Sequence, residues 1–260
     1  MKKIKTYALY LYEYLKHGDF ISIIASIRYV INKTSHSHDR VITTSIGKFY
    51  CRKNTNDFQF ANYYYEWGVK RYLLNNSKNY NVFIDAGACV GDYCILLSKF
   101  NFRCFAFEPV GGTYDVLAKN LQLNNLTGVV KAFPYGLGEK DQTVGFIFDP
   151  VNTGASHVSK TPSKYDLIVD IRKFDSIYRN LNIKPEDNIL FMIDIEGMES
   201  EAIRGAKEFI STFPNITFVM EDKHTGQNPI QIALRDYANF EFGIVDEFNM
   251  YAKKTGNLDK

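Results

Sequence analysis

Residues Val82 to Gly91 read Val-Phe-Ile-Asp-Ala-Gly-Ala-Cys-Val-Gly: an apolar run, an acid, and two glycines four positions apart. The apolar run predicts a short strand covered on both faces and ending at Asp85. Gly87 and Gly91 let the backbone turn tightly and come close to a ligand, and Val90 to Phe100 reads as the helix that follows. A second apolar run, Cys104-Phe105-Ala106-Phe107, closes on Glu108, where a carboxylate can accept hydrogen bonds from both hydroxyls of a ribose. This strand, turn, helix and second strand restrict the chain to an α/β fold with a nucleotide pocket at its strand ends.

The spacing narrows the nucleotide. A dinucleotide fold needs G-x-G-x-x-G to crowd a pyrophosphate against a helix N-terminus. This chain has D-x-G-x-x-x-G: the middle glycine is missing, and Asp85 repels a pyrophosphate. A carboxylate there suits a cationic ligand, such as the sulfonium and ammonium of S-adenosylmethionine.

The 260 residues, 45% hydrophobic, are enough for one sizeable core. The expected division is an N-terminal helical extension and polar linker over 1–40 and a catalytic domain over 41–260. A formal charge of +2 argues against a nucleic acid partner, which usually meets a concentrated basic face. Cys51, Cys89, Cys94 and Cys104 show no paired spacing and read as reduced thiols of a cytoplasmic protein. No secretory signal and no bilayer-spanning stretch is evident.

Residues 5–32 read as helical with a break at Gly18, carrying Leu9, Leu11, Leu15, Ile21, Ile23, Ile24 and Ile27 among Lys2, Lys3, Lys5, Lys16, Arg28 and Lys33. Such helices either contact an anionic membrane surface peripherally or cap the main domain or a dimer. Asn32 to Arg40 is polar and expected to be a mobile connection, and its His36 and His38 lack a third metal ligand. Residues 41–52 read as a hairpin and 56–74 as a single helix. Strands at 81–85, 103–107 and 128–134 alternate with helices at 90–99 and 112–123, which predicts a parallel, doubly wound sheet. Strands at 143–148 and 167–171 flank a polar loop, followed by helix 173–181, strand 188–194, helix 199–211, strand 216–221 and a closing strand pair at 240–245 and 248–252.

In such a sheet ligands bind beyond the carboxyl ends of the strands. Asp85, Glu108, Asp194 with Glu196, and Glu221 with Asp222 and His224 all follow buried runs. In an extended chain Asp194 and Glu196 point the same way, and Gly197 permits the turn into the next helix. Adjacent carboxylates raise one another's pKa, which suits proton acceptance near neutrality; a shared divalent cation and a helix-capping role are the alternatives. No metal site is assigned.

Together these segments resemble the FkbM family of S-adenosylmethionine-dependent methyltransferases. The resemblance is carried by Asp85-Ala86-Gly87-Ala88 to Gly91, Ala106-Phe107-Glu108-Pro109, the 120–126 stretch, Gly136-Leu137-Gly138, Phe174-Asp175 and Asp194-Ile195-Glu196-Gly197, over roughly residues 44–225. It implies a Rossmann-like, doubly wound, mostly parallel seven-stranded sheet with an antiparallel last strand, and O-methylation of a small molecule or glycan, including surface polysaccharide precursors. Two positions depart from the family's pattern: Met192 stands where many members have Lys, and Cys89 where they have Asn.

The expected cofactor is S-adenosylmethionine. Asp85, Gly87 and Gly91 are expected at its methionine part, Glu108 at the ribose, the backbone around Gly136 and Leu137 at the adenine, and Glu66 closing over it, with Ala88, Pro109 and Asp194 also among the cofactor-binding residues. Asp194 or Glu196 is the expected base, with Glu221 and His224 next. The rival readings are a nucleic acid methyltransferase and a non-catalytic S-adenosylmethionine-binding module.

Overall fold

The computed structural model describes residues 2–149, 151, 157–159, 167–221 and 227–258. Two antiparallel helices, α1 (Lys2–Lys16) and α2 (Phe20–Asn32), turn at Gly18, whose φ of +69° is a left-handed value that glycine adopts without strain. The connection after α2 is anchored at its centre: Ser35 and His36 are buried, and His36 lies against the Phe58 ring with Nε2 beside the Ser22 hydroxyl, while the residues on either side are exposed. The hairpin β1 (Arg40–Thr43) and β2 (Lys48–Cys51) follows.

The single helix expected over 56–74 is two, α3 (Asp57–Phe60) and α4 (Trp67–Asn76), because the chain turns left-handed at Glu66 with φ +49°. Glu66 is therefore the N-terminal boundary of α4 and not part of a continuous helix. Then come β3 (Val82–Ala86), α5 (Asp92–Leu97), β4 (Arg103–Phe107), α6 (Gly111–Leu123) and β5 (Val130–Phe133), as the alternation predicted. A smaller sheet interrupts it, built from β6 (Gly136–Gly138), β7 (Gln142–Ile147), β8 (His157–Val158) and β9 (Leu167–Lys173).

The helix expected over 173–181 is two short 3₁₀ turns, Phe174–Ser176 and Tyr178–Leu181. The chain continues through β10 (Ile189–Ile193), α7 (Glu199–Arg204), α8 (Lys207–Thr212), β11 (Ile216–Glu221), α9 (Gln227–Arg235), β12 (Ala238–Ile244) and β13 (Asn249–Asn257). Gly205 divides α7 from α8, where one helix was expected: it lies against the Gly138 backbone, with no room for a side chain. Helix α9 had no counterpart in the sequence reading.

The main sheet has the order β12-β13-β11-β10-β3-β4-β5. Strands β11, β10, β3, β4 and β5 pair in parallel, and β13 is inserted antiparallel between β11 and β12. This is the Rossmann-like, mostly parallel seven-stranded sheet with an antiparallel last strand. Because side chains alternate along each strand, the sheet faces two cores. Phe83, Ala106, Leu190 and Met192 pack under α5 and the N-terminal elements, while Ile84, Phe107, Phe191 and Phe218 pack with Phe174, Ile203 and Phe209 on the other side. The carboxyl ends of β3, β4 and β10 converge beside the smaller sheet, so the site forms there.

Candidate active site

The β3–α5 turn is built by close backbone approach. Gly87 has φ +90°, its N–H and that of Ala88 both donate to the Phe107 carbonyl at 3.0 Å, and a β-carbon on Gly87 would overlap the Asp194 carbonyl oxygen. Asp194 N–H in turn donates to the Ala86 carbonyl at 3.0 Å, so the ends of β3, β4 and β10 are tied together. Gly91, at φ +86°, starts α5 with its Cα against the Leu117 side chain. Cys89 between them also takes a left-handed φ of +44°, which turns its N–H onto Glu108 Oε2 at 3.0 Å. Val110 N–H donates to Glu108 Oε1 at 2.9 Å. Burial outweighs these two bonds and pushes the Glu108 carboxyl up to about 7.

One cavity joins these groups. Gly87, Cys89 and Glu108 meet Pro109, Gly136 and Leu137 in its walls, together with Asp194, Ile195 and Glu196. Its apolar lining comes from Val110, Phe146, Ile171 and Met198. Phe146 and Ile171 come from β7 and β9, so the smaller sheet supplies a wall that sequence reasoning did not assign. The alternating Val144, Phe146 and Val169, Ile171 pattern is the signal that marks that sheet's inner face. A β-carbon on Gly136 would press on Ile171 and Pro109, which reserves the space for backbone.

Three of the acids cluster. One carboxylate oxygen from each of Asp194, Glu196 and Glu221 lies within 4.8 Å of the others, a spacing that serves a shared proton or a divalent cation. The geometry that brings them together is not the extended segment expected: Glu196 has φ +51° and Gly197 φ +98°, a left-handed pair that folds the chain back before α7. Burial and the neighbouring Glu66, Glu221, Glu196 and Glu199 push the Asp194 carboxyl well above the usual carboxylate range. Burial also raises Glu66, despite the Tyr93 hydroxyl that donates to its Oε2 at 2.6 Å. Glu66 thus belongs to the acid group and does not line the cavity. His224 and Asp222 lie outside the described residues.

Asp85 stands apart. It is 2% exposed, on the sheet face that carries Phe83, and its Oδ2 lies 3.4 Å from the Cys94 sulfur. Neither Asp85, Ala88 nor Gly91 lines the cavity. Burial, with Asp92 nearby, pushes Asp85 up to about 8. Asp92 itself faces a fully buried lysine, Lys70, with Nζ at 2.9 Å from Oδ2, and Lys70 Nζ also donates to the carbonyls of Tyr65 and Asn62.

The match to the methyltransferase FkbM domain runs over residues 85–251, well over half of the chain, from the end of β3 onward. The chain belongs to the FkbM methyltransferase family. Methyltransferase 1 of Beauveria bassiana (strain ARSEF 2860) is 24% identical over 143 residues, which are 47% of this chain and 57% of that protein. Methyltransferase sdnD of Sordaria araneosa is 24% identical over 167 residues, 53% of this chain and 64% of that protein. The chain thus spans less than two thirds of the length of these curated relatives. The crystal structure of methyltransferase FkbM from Methylobacillus flagellatus KT superposes with a TM-score of 0.50 at 16% identity, covering 76% of this chain and 53% of that one, a likeness of fold.

Within the FkbM frame, the Met192 departure acquires a physical meaning. Met192 is the register partner of Asp85 on β10, buried on the same sheet face. A lysine at 192 would stand beside Asp85 and lower its pKa; with methionine there, the carboxyl is left to burial and to Asp92.

Proposed function

We propose that this FkbM-family protein is an S-adenosylmethionine-dependent O-methyltransferase acting on a hydroxyl of a small molecule or glycan. The observation that carries the reading is the meeting, in one cavity, of the Gly87 turn and Glu108 with the carboxyls of Asp194 and Glu196. The residues fit the donor. Gly87 and Gly136 leave room that a β-carbon would fill, Glu108 presents a carboxylate already oriented by two amides, and the acid cluster favours a cationic group.

S-adenosylmethionine supplies, when bound, a methyl carbon on a positively charged sulfur. Glu108 would accept hydrogen bonds from the ribose hydroxyls on its remaining lone pairs. Pro109, Leu137 and Phe146 would flank the flat faces of the adenine ring. Asp194 takes the proton of the acceptor hydroxyl, a poor nucleophile until it loses that proton, and such general base catalysis contributes roughly 10²- to 10⁴-fold. Burial and the surrounding acids raise its pKa, which makes its ionised form a stronger base than an ordinary carboxylate. The charges of Glu66, Glu221 and Glu196 add to burial in raising it. Alignment of oxygen and methyl carbon supplies the larger share, about 7 to 11 kcal/mol where the geometry is tight.

Incubation with methyl-labelled S-adenosylmethionine and fractions of hydroxyl-bearing acceptors, cell-surface glycans first, tests the reading. Transfer of label that is lost in Asp194→Asn supports it; tight donor binding with no transfer to any acceptor favours a binding module.

A further inference from the structure

Helix α2 is turned inside out. Its buried face consists of Ser22, Ala25 and Tyr29, whereas Phe20, Ile24, Ile27 and Ile31 are 63%, 50%, 51% and 77% exposed. These four positions recur at helical spacing and form one apolar ridge along the outside. A helix on a water-soluble surface ordinarily places such side chains inward.

The hairpin that carries the ridge is firmly fixed. The Tyr14 hydroxyl donates to the Phe58 carbonyl at 2.7 Å, and Asn62 Nδ2 donates to the Tyr10 carbonyl at 3.1 Å. Asp19 accepts from Ser22 N–H at the start of α2 and pairs with Arg40 at 2.7 Å. The ridge is therefore displayed by a folded support. Beside it, Tyr7 and Leu11 of α1 and Ile27, Val30 and Ile31 of α2 line an apolar groove of about 220 Å³.

Charge identifies the occupant. Residues 2–12 and 20–33 include Lys2, Lys3, Lys5, Arg28 and Lys33 and no Asp or Glu. The antiparallel pairing brings the start of α1 and the end of α2 to the same end of the hairpin. Within the hairpin itself the acids, Glu13 and Asp19, lie at the opposite end, and both are engaged, Glu13 by Ser45 N–H and Asp19 by Arg40; outside it, Asp149 lies near Tyr29 and Glu66 near Tyr10. A second copy of this face would set like charge against like charge. An anionic lipid surface answers both the ridge and the lysines: apolar side chains enter the acyl boundary and basic ones meet the headgroups. At 13 residues, α2 is about 20 Å long, too short to cross a hydrocarbon core of roughly 30 Å, so it lies in the interface plane.

We propose that the α1–α2 hairpin docks the protein on an anionic phospholipid bilayer through the Phe20–Ile24–Ile27–Ile31 ridge and its basic end. This inference stands on observations separate from those that carry the methyl transfer reading. The test is co-sedimentation of the full chain with vesicles of phosphatidylcholine alone or mixed with phosphatidylglycerol. The expected result is binding to the mixed vesicles that weakens in high salt and becomes on the order of a hundredfold weaker in Ile24→Ser/Ile27→Ser/Ile31→Ser. Because these side chains face outward, the melting temperature of the variant should equal or exceed that of the parent. A parent protein that stays in solution with the mixed vesicles, or a ridge variant that binds as well as the parent, overturns the proposal. So does an equilibrium dimer that the ridge substitutions dissociate and that leaves the vesicles bare.

Discussion

Gly87 and Asp194 touch through their backbones: the Cα of Gly87 sits so close to the Asp194 carbonyl that no β-carbon fits between them. This contact joins the turn expected to hold the methyl donor to the strand end expected to deprotonate the acceptor. Gly87→Ala adds a methyl group at a φ of +90° and into that carbonyl. The backbone strain alone costs about 1 to 3 kcal/mol. Thermal unfolding should show a lower melting temperature, and titration calorimetry should show lost donor binding; an unchanged protein on both counts removes the contact from the account.

The pH dependence of turnover should carry the signature of Asp194. A base must be ionised to accept a proton, so activity should fall as pH drops through the raised Asp194 pKa and level off above it. In Asp194→Asn, kcat should fall by roughly 10² to 10⁴ and that limb of the profile should vanish. Glu196→Gln leaves Asp194 with one less negative neighbour, so the limb should move to lower pH while turnover persists.

Glu108 should make donor affinity depend on pH near neutrality. Its carboxyl, pushed up to about 7 by burial, is a full hydrogen-bond acceptor only when ionised. Donor affinity should therefore decline as pH falls through about 7 in the parent and stay flat in Glu108→Gln. The substitution should weaken binding roughly 10- to 100-fold, the range for hydrogen bonds to a charged group. Calorimetric titration at several pH values reads both effects.

Asp85 should govern stability more than binding. Its folded value of about 8 lies above its ordinary 3.8, so its stabilising neutral form is fully present below about pH 4 and is lost as pH rises to about 8. Over that window the melting temperature of the parent should fall relative to that of Asp85→Asn. Met192→Lys, placing a cation at the register partner, should reduce the difference.

Where the chain alternates strand and helix, the sequence was a sound guide. β3, β4 and β11 lie at or within a residue of their expected bounds, because continuous apolar runs ending in turn residues specify buried parallel strands. The parity of Asp85 was hidden for the same reason. In a run apolar on both faces nothing marks which face a terminal acid joins, so Asp85 read as a ligand contact when it lies among core side chains. The breaks at Glu66 and at 173–181 depend on tertiary contacts: Tyr93 holds the Glu66 carboxylate, and Phe174 is anchored among Phe107, Phe191 and Phe209. The acids Asp194, Glu196 and Glu221 were legible as a group, but the left-handed turn at Glu196 that assembles them was not. Phe146 and Ile171 escaped assignment because their alternation marks an inner face without saying which cavity that face meets.

The central claim is that the cavity holds a methyl donor on the Gly87 side and delivers its methyl group to a hydroxyl deprotonated on the Asp194 side. The most direct measurement is the chemical fate of label from methyl-labelled S-adenosylmethionine after incubation with a hydroxyl-bearing acceptor fraction. The account predicts alkali-stable label, as in a methyl ether, abolished in Asp194→Asn while donor binding persists. Label released by mild alkali as from an ester, or transfer undiminished in Asp194→Asn, would contradict it.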